Sequence, residues 1–168
     1  MTVFEASGAG RSTIRSMTAA DAMQAALLFE TARADGAGGW SESAIAQTLA
    51  NAGFGAIAPD VAGRIHGAAL AIPAGPEAEL VNLAVAANAR RGGVGRELLT
   101  ALAATAATIG FERLLLEVAA DNFAARALYE RFGFDKIGIR RDYYKRGPRS
   151  IDAEMMALDL RSITVASE

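Results

Sequence analysis

The chain has 168 residues, no cysteine, one histidine and no apolar run long enough to span a bilayer. Without cysteine there is no disulfide, no thiolate metal site and no thiol nucleophile. A single histidine removes most zinc sites and any histidine relay, so no metal is expected. The first twenty residues lack the apolar stretch of a signal peptide, so a cytoplasmic protein without membrane contact is expected. A formal net charge of −2 argues against wholesale neutralisation of phosphates, so no direct nucleic-acid partner is expected.

The length suits one domain with a real core. Alanine inflates the hydrophobic fraction of 52%, so the apolar volume is smaller than that figure suggests. The expected domain is 12–160, with 1–11 and 161–168 as loose ends. Positive charge is concentrated in two places. Arg90, Arg91 and Arg96 flank a glycine turn, and Arg140, Arg141, Lys145, Arg146 and Arg149 lie close together near the end.

Ser12 to Arg15 reads as a first strand. Thr18 and Asp21 resemble a helix cap, followed by an apolar stripe of Met23, Leu27, Leu28 and Phe29 to about Arg33. Asp35 to Gly39 is a glycine-rich break. Ser41 caps a second helix, with Trp40 stapled on Ile45, that Gly53 stops. Three strands follow, Phe54 to Ala58, Ile65 to Ile72 and Glu77 to Val85, with turns at Pro59 to Gly63 and Pro73 to Pro76. A third helix from Val94 carries Leu98, Leu102, Ala106 and Ile109 on one face and ends at Gly110. Arg113 to Val118 is a strand. Asp121 or Asn122 caps a fourth helix that Gly133 ends. Asp135 to Tyr144 and Ile151 to Leu160 form a hairpin around Gly147-Pro148. The pattern is mixed α/β: an antiparallel run of strands, one strand–helix–strand crossover, then a hairpin.

Three constellations could carry chemistry. Arg90-Arg91-Gly92-Gly93-Val94-Gly95-Arg96 joins a strand to a helix, where converging N–H groups suit an anion; an ordinary connection with solvated arginines is the other reading. Glu117 points away from Leu114, Leu116 and Val118, which makes it a salt-bridged sheet residue or a general base beside a wet cleft. Asn122 is a helix cap or a ligand contact. Tyr129 is core packing or a proton donor. His66 reads as a half-buried strand histidine. The basic run from Arg140 to Arg149 reads as a solvated hairpin or an acceptor contact.

Taken together, these residues resemble the GCN5-related N-acetyltransferase (GNAT) family. Arg90 to Gly95 resembles its Arg/Gln-x-x-Gly-x-Gly/Ala signature. Leu116-Glu117-Val118, followed by Asp121-Asn122 and the stretch through Tyr129 to Gly133-Phe134, resembles its downstream motif. Glu77 to Val85, Arg140-Arg141-Asp142-Tyr143-Tyr144 and Trp40-Ser41-Glu42 are similar to the branch that acetylates the N-terminal alanine of ribosomal proteins. Three stretches depart from that pattern: Gly39, Asn88-Ala89, and Lys145 to Ser150.

The resemblance implies an α+β fold, a mostly antiparallel twisted sheet of about seven strands with about four flanking helices. It implies acetyl-CoA as cosubstrate. Leu83, Ala84 and Val85 would pair with the pantetheine arm, Arg90, Arg91, Gly92, Gly93, Val94, Gly95 and Arg96 would hold the pyrophosphate, and Asn122 would add a contact. Glu117 would be general base and Tyr129 general acid. The acceptor it implies is the N-terminal α-amine of a protein, such as ribosomal protein S18. Acetylation of a small amine (polyamine, amino acid or antibiotic) and a non-catalytic CoA-binding module are the alternatives. Without cysteine, direct attack in a ternary complex is favoured over a covalent relay.

Overall fold

A computed structural model describes residues 3–4, 13–32, 39–161 and 163. Its elements in chain order are β1 (Val3–Phe4), β2 (Ile14–Ser16), α1 (Ala22–Thr31), α2 (Glu42–Ala50), β3 (Phe54–Pro59), β4 (Ile65–Ala74), β5 (Glu77–Val85), α3 (Val94–Ile109), β6 (Arg113–Ala119), α4 (Phe123–Phe132), β7 (Asp135–Arg146) and β8 (Arg149–Asp159). Short 3-10 turns at Ala19–Asp21 and Ala87–Ala89 precede α1 and α3. The glycine-rich break before Gly39, the end of the first helix at Arg33 and most of both termini lie outside the described residues.

The strands form one sheet in the order β1-β2-β3-β4-β5-β6-β8-β7. Every pairing is antiparallel except β5 with β6, which α3 connects as a crossover. The expected strands are present, with Val3–Phe4 as a short further edge strand on Ile14 and Arg15. Ile163, beyond the last strand, packs on the core.

Helices cover both faces. One core cluster joins α3 and α4 to the sheet through Leu98, Leu102, Leu114, Leu116, Tyr129 and Met156. The other joins α1 and α2 through Leu28, Phe29, Ile45, Ile57 and Leu70.

The helix faces differ from expectation in two places. Met23 and Leu27 are 64% and 65% exposed, and α1 is buried instead through Ala22, Ala25, Leu28 and Phe29. Alanines let that helix lie close to the sheet, so the larger side chains fall outside the contact. Ile109, in the last turn of α3, is exposed as well.

Caps follow the residues that can make them. Ser41 Oγ accepts from the Ala44 N–H, Asn122 Oδ1 accepts from the Ala125 N–H, and Gly110 and Gly133 end their helices in the left-handed region. At α2 the left-handed residue is Ala52, not Gly53. Gly53 is needed because a Cβ there would meet the Thr48 carbonyl at 2.5 Å.

Asp21 ties the entry of α1 to β2. It is buried and accepts from both Arg15 Nη atoms and from the Thr18 N–H and hydroxyl. Burial pushes its carboxyl up, but the Arg15 and Thr18 hydrogen bonds outweigh that and hold it below the usual range.

Candidate active site

Strands β5 and β6 pair over only three positions, Ala78 to Leu80 with Leu114 to Leu116. The cause lies on the other side of β5. Leu70 faces Asn82 and Ala71 faces Leu80, so Val81 is an extra residue, a β-bulge. Beyond it the second half of β5 has no strand partner on the β6 side among the described residues. The N–H of Ala86 donates to the His66 carbonyl on β4. By antiparallel alternation, Ala84 bonds β4 too, while Leu83 and Val85 turn their backbone groups toward the opening. The Val85 carbonyl accepts from Arg90 Nε at 3.1 Å, which agrees with that direction. Among the three strand positions expected to meet a ligand, Leu83 and Val85 therefore present amides. Ala84 is buried in the core under α1 and α2.

The glycine turn lies at the same end of the sheet. Arg91 and Gly93 are left-handed, at φ 64° and 89°. The first intrahelical bond runs from the Glu97 N–H to the Gly93 carbonyl, so the N–H groups of Val94, Gly95 and Arg96 start α3 without intrahelical partners. A Cβ on Gly93 would meet nothing within 4 Å, whereas one on Gly95 would stand 3.1 Å from Leu128 on α4. Gly93 thus serves the turn and Gly95 serves the packing of α3 on α4. Gly92, Arg91 and Arg96 are exposed around the helix start. Such a cradle of amides and guanidinium groups fits a diphosphate.

Across the opening stands Glu117. Its side chain is 16% exposed and its Oε1 is 2.7 Å from Arg140 Nε. Arg140 reaches it from β7 over β8. Glu117 pairs with Met155, Ala119 with Ala153, and Ala153 with Arg140, so all share one sheet face and the small Ala153 leaves room for the span. Glu79 belongs to the same face through its pairing with Leu115. Burial, and then the charge of Glu117, push the Glu79 carboxyl up, with Arg140 offsetting part of the rise. Tyr143 hydrogen-bonds Glu117, and that bond and the carboxylate's charge raise its phenol. Its ring lies 5.4 Å from the Arg140 guanidinium and 5.0 Å from Tyr144 in a T-shaped contact. Tyr144 is raised by burial, then by Glu117.

A two-residue excess in β7 between Arg140 and Tyr144 puts both tyrosines here. Asp142 takes φ 53°, and its N–H donates to Asp152 Oδ1. Tyr129 of α4 approaches from the other side. It is 8% exposed, packs at 5.6 Å on Phe134, and burial, then Tyr144, raise its phenol far above the ordinary value. Asn122 starts α4 as its cap, and neighbouring Asp121 is engaged by Arg146 of the hairpin.

Of the residues singled out in the sequence, Glu117 and Tyr129 thus approach one centre, the aromatic pair bridging them. The open edge of β5 and the glycine turn reach it from one end. Glu79 and Arg140 complete the cluster. The acid at Glu79 was legible as the member of a Glu-x-Glu alternation that shares Glu117's face; Arg140 was hidden in a run that reads as a solvated surface.

The matching family confirms the class. Residues 23–134 match the model of the acetyltransferase (GNAT) family, and the chain belongs to that family. Among its relatives, the [ribosomal protein bS18]-alanine N-acetyltransferase of Salmonella typhimurium is 46% identical over 84 residues, which are 50% of this chain and 57% of that protein. The chain is thus matched over little more than half the length of that curated relative. The crystal structure of the Escherichia coli ribosomal-protein-S18-alanine N-acetyltransferase superposes with a TM-score of 0.79 and 32% identity over 94% of this chain and 99% of that one. A Sinorhizobium meliloti phosphinothricin acetyltransferase in complex with AcCoA shares the fold at 22% identity and a TM-score of 0.78, over 94% of this chain and 92% of that one.

Proposed function

We propose that the protein is an N-acetyltransferase that moves an acetyl group from acetyl-CoA to the N-terminal α-amine of a protein, with an alanine-initiated chain such as ribosomal protein S18 as acceptor. One observation carries this reading: the opening between β5 and β6 has unpaired backbone and helix-start N–H groups along one side and the Glu117 cluster along the other.

Bound acetyl-CoA supplies an acyl thioester. The N–H groups of Val94, Gly95 and Arg96, with the Arg91 and Arg96 side chains, would hold its diphosphate. Leu83 and Val85 would take its arm as an added strand. An N–H on that edge would also stabilise negative charge on the carbonyl oxygen as the amine attacks.

The chain's own residues must then take one proton from the acceptor and offer one to the departing sulfur. An α-amine has a pKa of about 7.7–8.0, so a carboxylate suffices as base near neutral pH. Glu117 would accept that proton, directly or through a water. Arg140 and Tyr143 fix its orientation. Tyr129 would face the sulfur. Burial keeps its phenol protonated, so it offers a strong hydrogen bond to a thiolate, with solvent as the ultimate proton source.

A single assay tests this reading. Wild-type protein should release CoA with alanine-initiated peptides and far less with a panel of small amines. Glu117→Gln should lower kcat by about a hundredfold or more at pH 7 while acetyl-CoA still binds, with a smaller loss at high pH. An unchanged rate would remove Glu117 from the base role.

A further inference from the structure

The bulge at Val81 also decides which side chains border the opening. Leu80 and Leu83 pack on the α3–α4 side, and Val81 packs on the α1–α2 side. Asn82 stands opposite Leu70, which is buried under α1 and α2, and directly opposed residues share a sheet face. Val81 and Asn82 therefore both turn to the α1–α2 face, one residue being extra there. Glu79 and Glu117 lie on that face too, because their neighbours Ala78, Leu80, Leu116 and Val118 fill the opposite core. Helices α3 and α4 cover that opposite side, so an acceptor comes in over Glu79, Asn82 and Glu117. Asn82 is half-buried, and its side-chain amide makes no hydrogen bond among the described residues. Its donors and its acceptor are left for water or a ligand to fill, at a cost where the setting is partly dry.

We propose that Asn82 binds the acceptor's first peptide group, and so selects a chain N-terminus over a simple amine. Dimensions along the chain support this. Leu83, the next residue, turns its N–H toward the opening, where it can hold the carbonyl oxygen of the thioester. The attacking nitrogen then stands about 3–3.5 Å from the carbonyl carbon. The acceptor's first carbonyl oxygen and second N–H follow about 3 Å beyond that nitrogen. The Asn82 side chain leaves the strand one residue before the Leu83 N–H, on the acceptor's side, so this peptide group falls within its reach. Glu79 and Glu117, when ionised, offer acceptors alone and suit the ammonium, whereas an amide can give to a carbonyl or take from an N–H. Being neutral, Asn82 does not discriminate by the charge of the residues that follow, so a basic ribosomal protein is admitted. The proposal rests on the N-terminal acetyltransferase reading and deepens it by naming what is recognised in the acceptor.

The test is a cycle of two proteins and two substrates, with acetyl-CoA and the whole protein. One substrate is an alanine-initiated peptide. The other is the same molecule with an E-alkene in place of its first peptide bond, which keeps the shape and loses both polar groups. The readout is kcat/KM. Asn82→Leu should lower it about tenfold for the peptide and hardly at all for the alkene, so the peptide-to-alkene ratio falls about tenfold. The alkene's more basic amine is common to both proteins and cancels. Asn82→Ala, which adds no apolar bulk, should show the same fall and serves if the leucine variant does not fold. Equal losses on both substrates, or no loss on either, overturn the proposal while leaving N-terminal acetylation intact. Transfer to neither substrate by the wild type, with CoA released to small amines, overturns the underlying reading and this one with it.

Discussion

At the residue scale, Glu79 and Tyr129 are two groups of the site whose burial raises them above their ordinary values. The folded state raises the Glu79 carboxyl above its unfolded value through burial and the nearby Glu117. The protonated form is therefore favoured by folding. Its contribution is fully present below the unfolded carboxylate range and is lost as pH rises through the folded value. Ionised Glu79 thus costs stability at pH 7. Glu79→Gln should raise Tm by about 2 °C at pH 7, with the gain vanishing toward pH 4, and lower kcat by about tenfold. A mutant less stable at pH 7 than at pH 4, relative to wild type, would show that Glu79 is not held in that environment. Tyr129→Phe should lower kcat by about ten- to a hundredfold with little change in acetyl-CoA affinity, because the ring's contact with Phe134 survives. A wild-type rate would leave Tyr129 as packing alone. Glu117 could be found from the sequence because an acid interrupts an apolar alternation. Its partner Arg140 could not, because the contact spans β8 and depends on a small residue, Ala153, whose role appears only once the register is known.

At the scale of elements, the position of α3 decides whether the anion cradle faces the opening. Gly67 on β4 sets that position. A Cβ there would stand 2.6 Å from Val94 Cγ1 and 3.1 Å from Leu98 Cδ1, in the first turns of the helix. Gly67→Ala should cost about 1–3 kcal/mol in chemical denaturation and weaken acetyl-CoA binding by calorimetry, since the helix start must lift from the sheet. Unchanged affinity at reduced stability would mean that the cradle tolerates the shift. Nothing local marked Gly67, because a strand glycine carries no cue to which helix crosses it. By contrast, Ser41, Asn122, Gly110 and Gly133 announced the helix ends, because a cap is made within a few residues of chain. The stripe of α1 was harder. Its burial through Ala22 and Ala25 in place of Met23 and Leu27 reflects how closely the sheet approaches, which periodicity does not encode.

For the whole molecule, two cores on opposite faces are joined by one sheet whose middle seam is short. The antiparallel run of strands, the crossover and the final hairpin were legible from alternation, turns and the glycine-bounded helices, whereas the placing of β8 between β6 and β7 was not. The bulge at Val81 was not, since it exists only as a mismatch between Leu70–Asn82 and Ala71–Leu80. Acetyl-CoA binding the native state alone should raise Tm. At a hundredfold excess over Kd the linkage is about 2.7 kcal/mol, or about 5–10 °C for a chain of this size. No rise in scanning calorimetry would mean that the ligand does not engage the folded protein.

That seam also bears on how force passes through the protein. Three pairs of residues are a narrow bridge between two leaves, and α3 adds a second link, since it lies against β3, β4 and α4 at once. In mechanical terms the helix is a splint laid over a fissure. A cosubstrate filling the fissure would supply missing rungs, and the two leaves would then bend as one plate.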